Sequence, residues 1–198
     1  MEKTDADIVR EIVDQARGFG IELLSQVELM EAQNSNNVNA NLIAADLEHP
    51  LISIRNATIS RIVLMVAREY AKPRKADRNL HRAFDLLSEG PARDVFGNRE
   101  RALVDAEKHF RKCKDDNRLQ KIKHFRDKFT AHIAEPGDVP IPLYKELFAF
   151  TRETIVCIDK IAVATGLNDL SIAASTSARN DAAAFWKPWA DVVAAELK

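Results

Sequence analysis

Between Lys108 and Lys128 the chain gathers nine basic side chains (Lys108, Arg111, Lys112, Lys114, Arg118, Lys121, Lys123, Arg126 and Lys128) against three aspartates, together with His109 and His124. The segment carries about +6 within a chain of 198 residues whose net charge is −1, so the remainder stands near −7. A basic stripe in an otherwise acidic chain is either a solvated helical face or a track for a phosphate backbone. The stripe runs into His124-Phe125-Arg126-Asp127-Lys128-Phe129-Thr130-Ala131-His132, in which an arginine is followed by five residues and then a histidine. Histidine exchanges protons near neutral pH, and arginine binds charge growing on phosphoryl oxygens. The spacing alone is common, since Arg74 and His81, and Arg118 and His124, are similarly placed. What separates the third pair is its extended form: Asp follows Arg, Lys follows Asp, and Ala precedes His.

The elements that must position these groups read as helices. No run of four or more residues alternates apolar and polar with β-branched enrichment, which leaves a sheet unsupported and an all-α chain expected. Thr4 is placed to cap a first helix with Asp5 and Asp7 in its first turn, and Val9, Ile12, Val13, Ala16, Phe19, Leu23, Val27 and Met30 trace its apolar face. Gly18 and Gly20 predict a bend in it, and the Asn-rich residues 34–39 predict its end. Residues 51–70, apolar almost all round, read as the central and most buried helix. A shorter helix over 76–88 stops at Glu89-Gly90-Pro91, and 91–98 read as a connection. Helices follow over 99–114 and 117–133, the second closed by Pro136-Gly137, then a long one from Leu143 with Gly166 as its C-cap. A Ser/Thr-rich link leads to a last helical piece over 181–197, where Pro188 predicts a kink or a new start. Trp186 and Trp189 read as packing anchors for that piece. Short connections make this an antiparallel helix bundle in one domain over 1–198, with a core at about 50–165, an N-terminal helix in 1–45 and a helical extension over 167–198.

Composition narrows the function classes. The longest uncharged apolar stretches, Ile62 to Ala67 and Ala182 to Trp186, fall short of the roughly 20 residues that cross a bilayer, so no membrane association is expected. The first 15 residues carry charge throughout, unlike a secretory signal, and the expected location is cytoplasmic. Cys113 and Cys157 stand 44 residues apart, which excludes a CxxC redox pair and a cysteine-based zinc site. His49, His81, His109, His124 and His132 have no histidine partner at i,i+4, and phosphate-loop, nucleophile-elbow and EF-hand patterns are absent. No metal and no cofactor is expected.

Arg126-Asp127-Lys128-x-x-Ala131-His132, at the end of a helix in an all-α chain of this size, resembles the R-[polar]-x(3–5)-H motif of HEPN domains, and most closely the abortive-infection type. Val66-Ala67-Arg68-Glu69-Tyr70 and the leucine-bearing segment 79–87 are similar in placement to upstream elements of that type. The likeness covers roughly residues 50–165, and departs where Ile133-Ala134 stand between His132 and the next acid, Glu135. The resemblance implies metal-independent endoribonuclease chemistry, in which the RNA 2′-hydroxyl attacks its own phosphodiester. On that reading His132 is the general acid/base, Arg126 clamps the phosphate, and Asp127 orients Arg126 or its counterpart across an interface. Lys128, Lys121, Arg118, Lys123 and His124 then bind RNA phosphates. The resemblance further implies a homodimer, an antitoxin or nucleotidyltransferase partner, and a setting in phage defence or a toxin–antitoxin system.

Helix geometry sets a condition on this. At 100° per residue, Arg126 lies about 40° to one side of the stripe Ile122/Phe129/Ile133 and His132 about 80° to the other, roughly 9 Å apart along the axis. A straight helix does not bring them together, unless the last turn unwinds or a second subunit contributes. The flank shared by Lys121, Lys128 and His132 is the most phosphate-ready surface. The plainer readings are an ion pair between Arg126 and a neighbouring helix, and a dipole-stabilised His132. From a different class comes a non-catalytic helical module for dimerisation or for binding a partner protein or nucleotide.

Overall fold

A computed structural model describes residues 3–88, 90–130, 141–170 and 172–191. Among these residues the chain is a bundle of α-helices with no strand. The first, α1 (Asp5–Gln33), opens with a capping box in which Thr4 and Asp7 satisfy each other's exposed donors. It is unbroken through Gly18 and Gly20, and the predicted bend is absent. Gly20 instead lets Leu170 approach, since a Cβ there would lie 2.5 Å from Leu170 Cδ1. Residues 34–39 do end α1, as the asparagines predict, and they also begin a further helix. The chain turns at Asn34-Ser35 and enters α2 (Asn36–Ala44), because Val38 and Leu42 bury their side chains with Leu51 and Trp186, which outweighs the weak helix propensity of asparagine. The Leu47 N–H to Leu42 and Asp46 N–H to Ile43 carbonyl bonds close α2 in a Schellman turn, with Asp46 at φ 58°.

Helix α3 (Glu48–Glu69) is not the most buried. Ile52, Ile54 and Leu64 are exposed, and its core contacts concentrate from Ile59 onward. It is the one helix among the described residues long and apolar enough to cross a membrane, with a mean hydropathy of 1.3 over its best window. Here its C-terminal half packs inside the bundle. Helix α4 (Leu80–Ser88) begins at Leu80, and Asn79 accepts the Arg82 N–H as its cap. The predicted connection over 91–98 contains α5 (Pro91–Val95), with Pro91 in its first turn and Gly90 at φ 94°, then a 3₁₀ turn over Gly97–Arg99. Helices α6 (Glu100–Lys114) and α7 (Asn117–Phe125) follow, and α7 passes into a π-helical turn over Arg126–Thr130. Helix α8 (Tyr144–Ala164) ends in a second Schellman turn on Gly166 (φ 87°), where Leu167 and Gly166 N–H groups bond the Ala162 and Val163 carbonyls. The last helix, α9 (Ile172–Ala190), starts nine residues earlier than the periodicity predicts and runs through Pro188 in its final turn.

Residue pairs fix the directions. Glu22 meets Arg61 and Phe19 meets Arg68, so α1 and α3 are antiparallel. Glu28 meets Arg152 and Gly20 meets Ile158, so α1 and α8 are antiparallel, as are α6 and α8 through Asp105–Lys160 and His109–Glu153. Helix α9 runs parallel to α1, with Glu28 against Arg179 and the Leu29 carbonyl accepting from Trp186 Nε1 at 2.9 Å. Side chains of α1 such as Val13, Leu23 and Val27 share one core with those of α3, α6 and α8. Trp186 and Trp189 belong to a smaller cluster with Val38, Leu42 and Leu51, as packing anchors should. The two α1 glycines give a stability test. Gly18 faces open space, so Gly18→Ala should stabilise by about 0.5–1 kcal/mol through helix propensity. Gly20→Ala should gain less or lose, since it displaces the Leu170 methyl. Urea midpoints of the two variants measure the difference.

Candidate functional site

Helix α3 ends in the interior, with Glu69 and Tyr70 almost wholly buried. The last carbonyls of a helix have no partner within it, and buried ones need donors from elsewhere. Asn79 Nδ2 donates to the Arg68 and Ala71 carbonyls at 3.0 and 3.2 Å. His81 Nδ1 lies 3.1 Å from the Ala71 carbonyl, and Lys123 Nζ donates to the Tyr70 carbonyl at 3.2 Å. Glu69 reaches forward: its carboxylate accepts the Leu80 N–H at 2.9 Å and the Arg68 guanidinium at 2.8 Å. Burial pushes the Glu69 carboxyl above the usual carboxylate range, against the pull of Arg68.

Further cations stand beside these donors. Lys114 Nζ lies 3.0 Å from His81 Nε2. Since the ammonium can only donate, Nε2 is the acceptor, and Nδ1 carries the proton given to Ala71: a neutral imidazole of fixed tautomer. Burial lowers the His81 pKa first, and the charge of Lys114 lowers it further. Burial also lowers the Lys123 pKa, and the nearby charges of Arg126 and Lys114 add to it. A cavity of about 160 Å³ opens at this cluster, lined by His81, Asp85, Arg111 and Lys114 around Phe84 and Phe110.

The residues singled out in the sequence divide between two faces. Arg118 folds back on Asp116, the cap of α7, with Nη2 to Oδ2 at 2.7 Å, and stacks over Phe150 of α8. Lys121 donates to Glu146 of α8 at 2.7 Å, and this bond holds the Glu146 carboxyl below its usual range. Lys121 is therefore committed to a carboxylate rather than standing ready on a basic flank. Lys123 and Arg126 face the end of α3 instead. His124 is half-buried, and its Nε2 is shut off from solvent without a hydrogen-bond partner among the described residues. Lys128 is half-exposed and carries no ion pair among the described residues. His132 lies outside the described residues.

Arg126 opens the π-helical turn and pairs with its neighbour, with Nε to Asp127 Oδ1 at 2.7 Å and Nη2 at 2.6 Å. Among the described residues it thus pairs with Asp127, the residue expected to orient it, and not with an acid on another helix. Hydrogen bonding to i+5 widens the turn, so the 100° spacing holds only as far as Phe125. The sequence shows Lys114 only as one of the nine basic residues of the stripe, and His81 only through the Arg74–His81 spacing, which chance explains equally well; nothing local pairs the two.

Folding depresses the His81 pKa, so as pH falls the unfolded chain takes up a proton that the folded chain refuses. Stability should therefore decline as pH drops through about 6.5, and the decline should stop below the folded-state pKa. His81→Asn keeps a donor for the Ala71 carbonyl and does not titrate. Its urea midpoint should change less between about pH 7.5 and 5.5 than that of the native chain. An equal change in both would place the titration at another group. Comparison with known proteins finds no matching family model, no matching curated protein and no matching solved structure.

Proposed function

We propose that this chain is a HEPN-type, metal-independent endoribonuclease. The observation that carries this reading is the position of the Arg126–Asp127 pair: it sits on a π-helical turn at the rim of a cationic cluster made by Lys114, Lys123 and neutral His81. Single π turns inside α-helices recur at functional sites. In the proposed reaction a base takes the proton of the RNA 2′-hydroxyl, whose oxygen attacks the adjacent phosphorus. The bond to the 5′-oxygen breaks, an acid protonates that oxygen, and a 2′,3′-cyclic phosphate remains. His132 is the proton-transfer group, Arg126 holds the phosphoryl oxygens, and Asp127 keeps the guanidinium in place. Lys128 and Lys123 meet flanking phosphates, whereas Arg118 and Lys121 contribute to the surrounding field from within ion pairs. The proposal includes a homodimer in the cytoplasm, and a role in phage defence or beside an antitoxin or nucleotidyltransferase.

A second reading, a non-catalytic helical module that binds a partner, is favoured by one observation. Ile54 and Phe185 are exposed beside Trp189 around an apolar groove between α3 and α9.

The two readings separate on cleavage. Purified protein should cut single-stranded or structured RNA with EDTA present. His132→Ala should slow cutting by roughly 10²–10⁴-fold and Arg126→Ala by roughly 10²–10³-fold, both variants remaining folded. Absence of cutting by the native chain, or equal rates in all three proteins, would remove the nuclease reading.

A further inference from the structure

On α6, His109 and Cys113 are four residues apart and project from the same face, which packs on α8. Opposite them stands Glu153 of α8, and one ligand atom from each of the three residues lies within 4.8 Å of the other two. His109 Nε2 is 3.4 Å from Glu153 Oε2 and 3.1 Å from the Glu153 backbone carbonyl. Cys113 is buried, His109 is nearly so, and Glu153 opens to solvent, so the cluster has a closed floor and an accessible side. We propose that His109, Cys113 and Glu153 form a three-ligand site for a divalent cation of the zinc class, clipping α6 to α8.

The donor set suits such an ion. One imidazole nitrogen, one thiolate and one carboxylate match the borderline-soft ligands zinc accepts, and three protein ligands leave a fourth tetrahedral position for water. Zinc bonds of about 2.0–2.3 Å at tetrahedral angles require ligand atoms roughly 3.5 Å apart. Closing the cluster is thus a movement of about 1 Å, within reach of the half-exposed Glu153 side chain. Binding releases the Cys113 thiol proton to solvent and shifts the imidazole proton to Nδ1, ending the contact with the Glu153 carbonyl. The bound ion's two positive charges then balance one thiolate and one carboxylate. Lys112 Nζ, 3.7 Å from Glu153 Oε2, must swing aside, and its exposure allows that. The wide spacing of Cys113 and Cys157 argues only against a zinc site built on paired cysteines; here the i,i+4 pair is mixed and the third member comes from another helix.

The site is separate from the α3 cluster, and its test reads binding rather than RNA cleavage. The full chain, stripped of metal, is titrated with Co²⁺ and followed by absorbance, with Zn²⁺ as competitor. One equivalent should produce a thiolate-to-cobalt charge-transfer band and tetrahedral d–d bands, both removed by Zn²⁺, and Zn²⁺ should raise the Tm with the logarithm of its free concentration. Cys113→Ser should abolish the charge-transfer band. Glu153→Gln, at a half-exposed position that leaves packing intact, should weaken binding by roughly tenfold or more. Circular dichroism checks that each variant is folded, and Glu153→Gln decides should Cys113→Ser unfold. Absence of the band, its persistence in Cys113→Ser, or unaltered affinity in Glu153→Gln would overturn the proposal.

Discussion

The C-terminal end of α3 lies inside the bundle, and its carbonyls must find donors there. A helix end carries about half a negative charge, and leaving such groups dry and unpaired costs several kcal/mol. Asn79 and His81 at the start of α4, with Lys123 from α7, meet that demand. Glu69 ties the other way by taking the first N–H of α4. Removing this knot would detach α4 and α7 from α3 together, and with them the only segment where the chain's positive charge is concentrated.

More cations collect at the knot than its carbonyls use. Lys123 and His81 bond carbonyls directly, whereas Lys114 and Arg126 add charge without a carbonyl of their own. Burial depresses the pKa of Lys123, so its ammonium bears a desolvation cost that a bound anion would relieve. The same packing thus explains a structural cap and supports the proposal of a phosphate-binding surface beside it. Arg118 and Lys121, which pair with Asp116 and Glu146, lack that excess and brace α7 against α8.

What the sequence makes legible is local. The Thr4 capping box, the apolar stripe of α1, the glycine terminator after α8 and the all-α class follow from residue type and spacing over one or two turns. What it hides is decided between elements. Asparagines 36 and 37 enter a helix because Val38 and Leu42 meet Trp186, far along the chain. The exposed N-terminal half of α3 looks core-like in composition because nothing local says that no helix covers Ile52 and Ile54. The candidate site divides the same way. Arg126 and Asp127 are readable as neighbours, but the π turn beneath them, the loss of Lys121 to Glu146, and the arrival of His81 and Lys114 depend on tertiary contacts.

We propose that the end of α3 organises an RNA-phosphate site. Its most direct test is an NMR titration of the full chain with a 2′-O-methyl RNA oligonucleotide, which blocks attack and keeps the complex intact. The account predicts amide shifts centred on Tyr70–Ala71, Asn79–His81, Lys114 and Lys123–Asp127, weakening steeply with added salt. Shifts confined to the α3–α9 groove around Phe185 and Trp189, or no shifts at all, would contradict it.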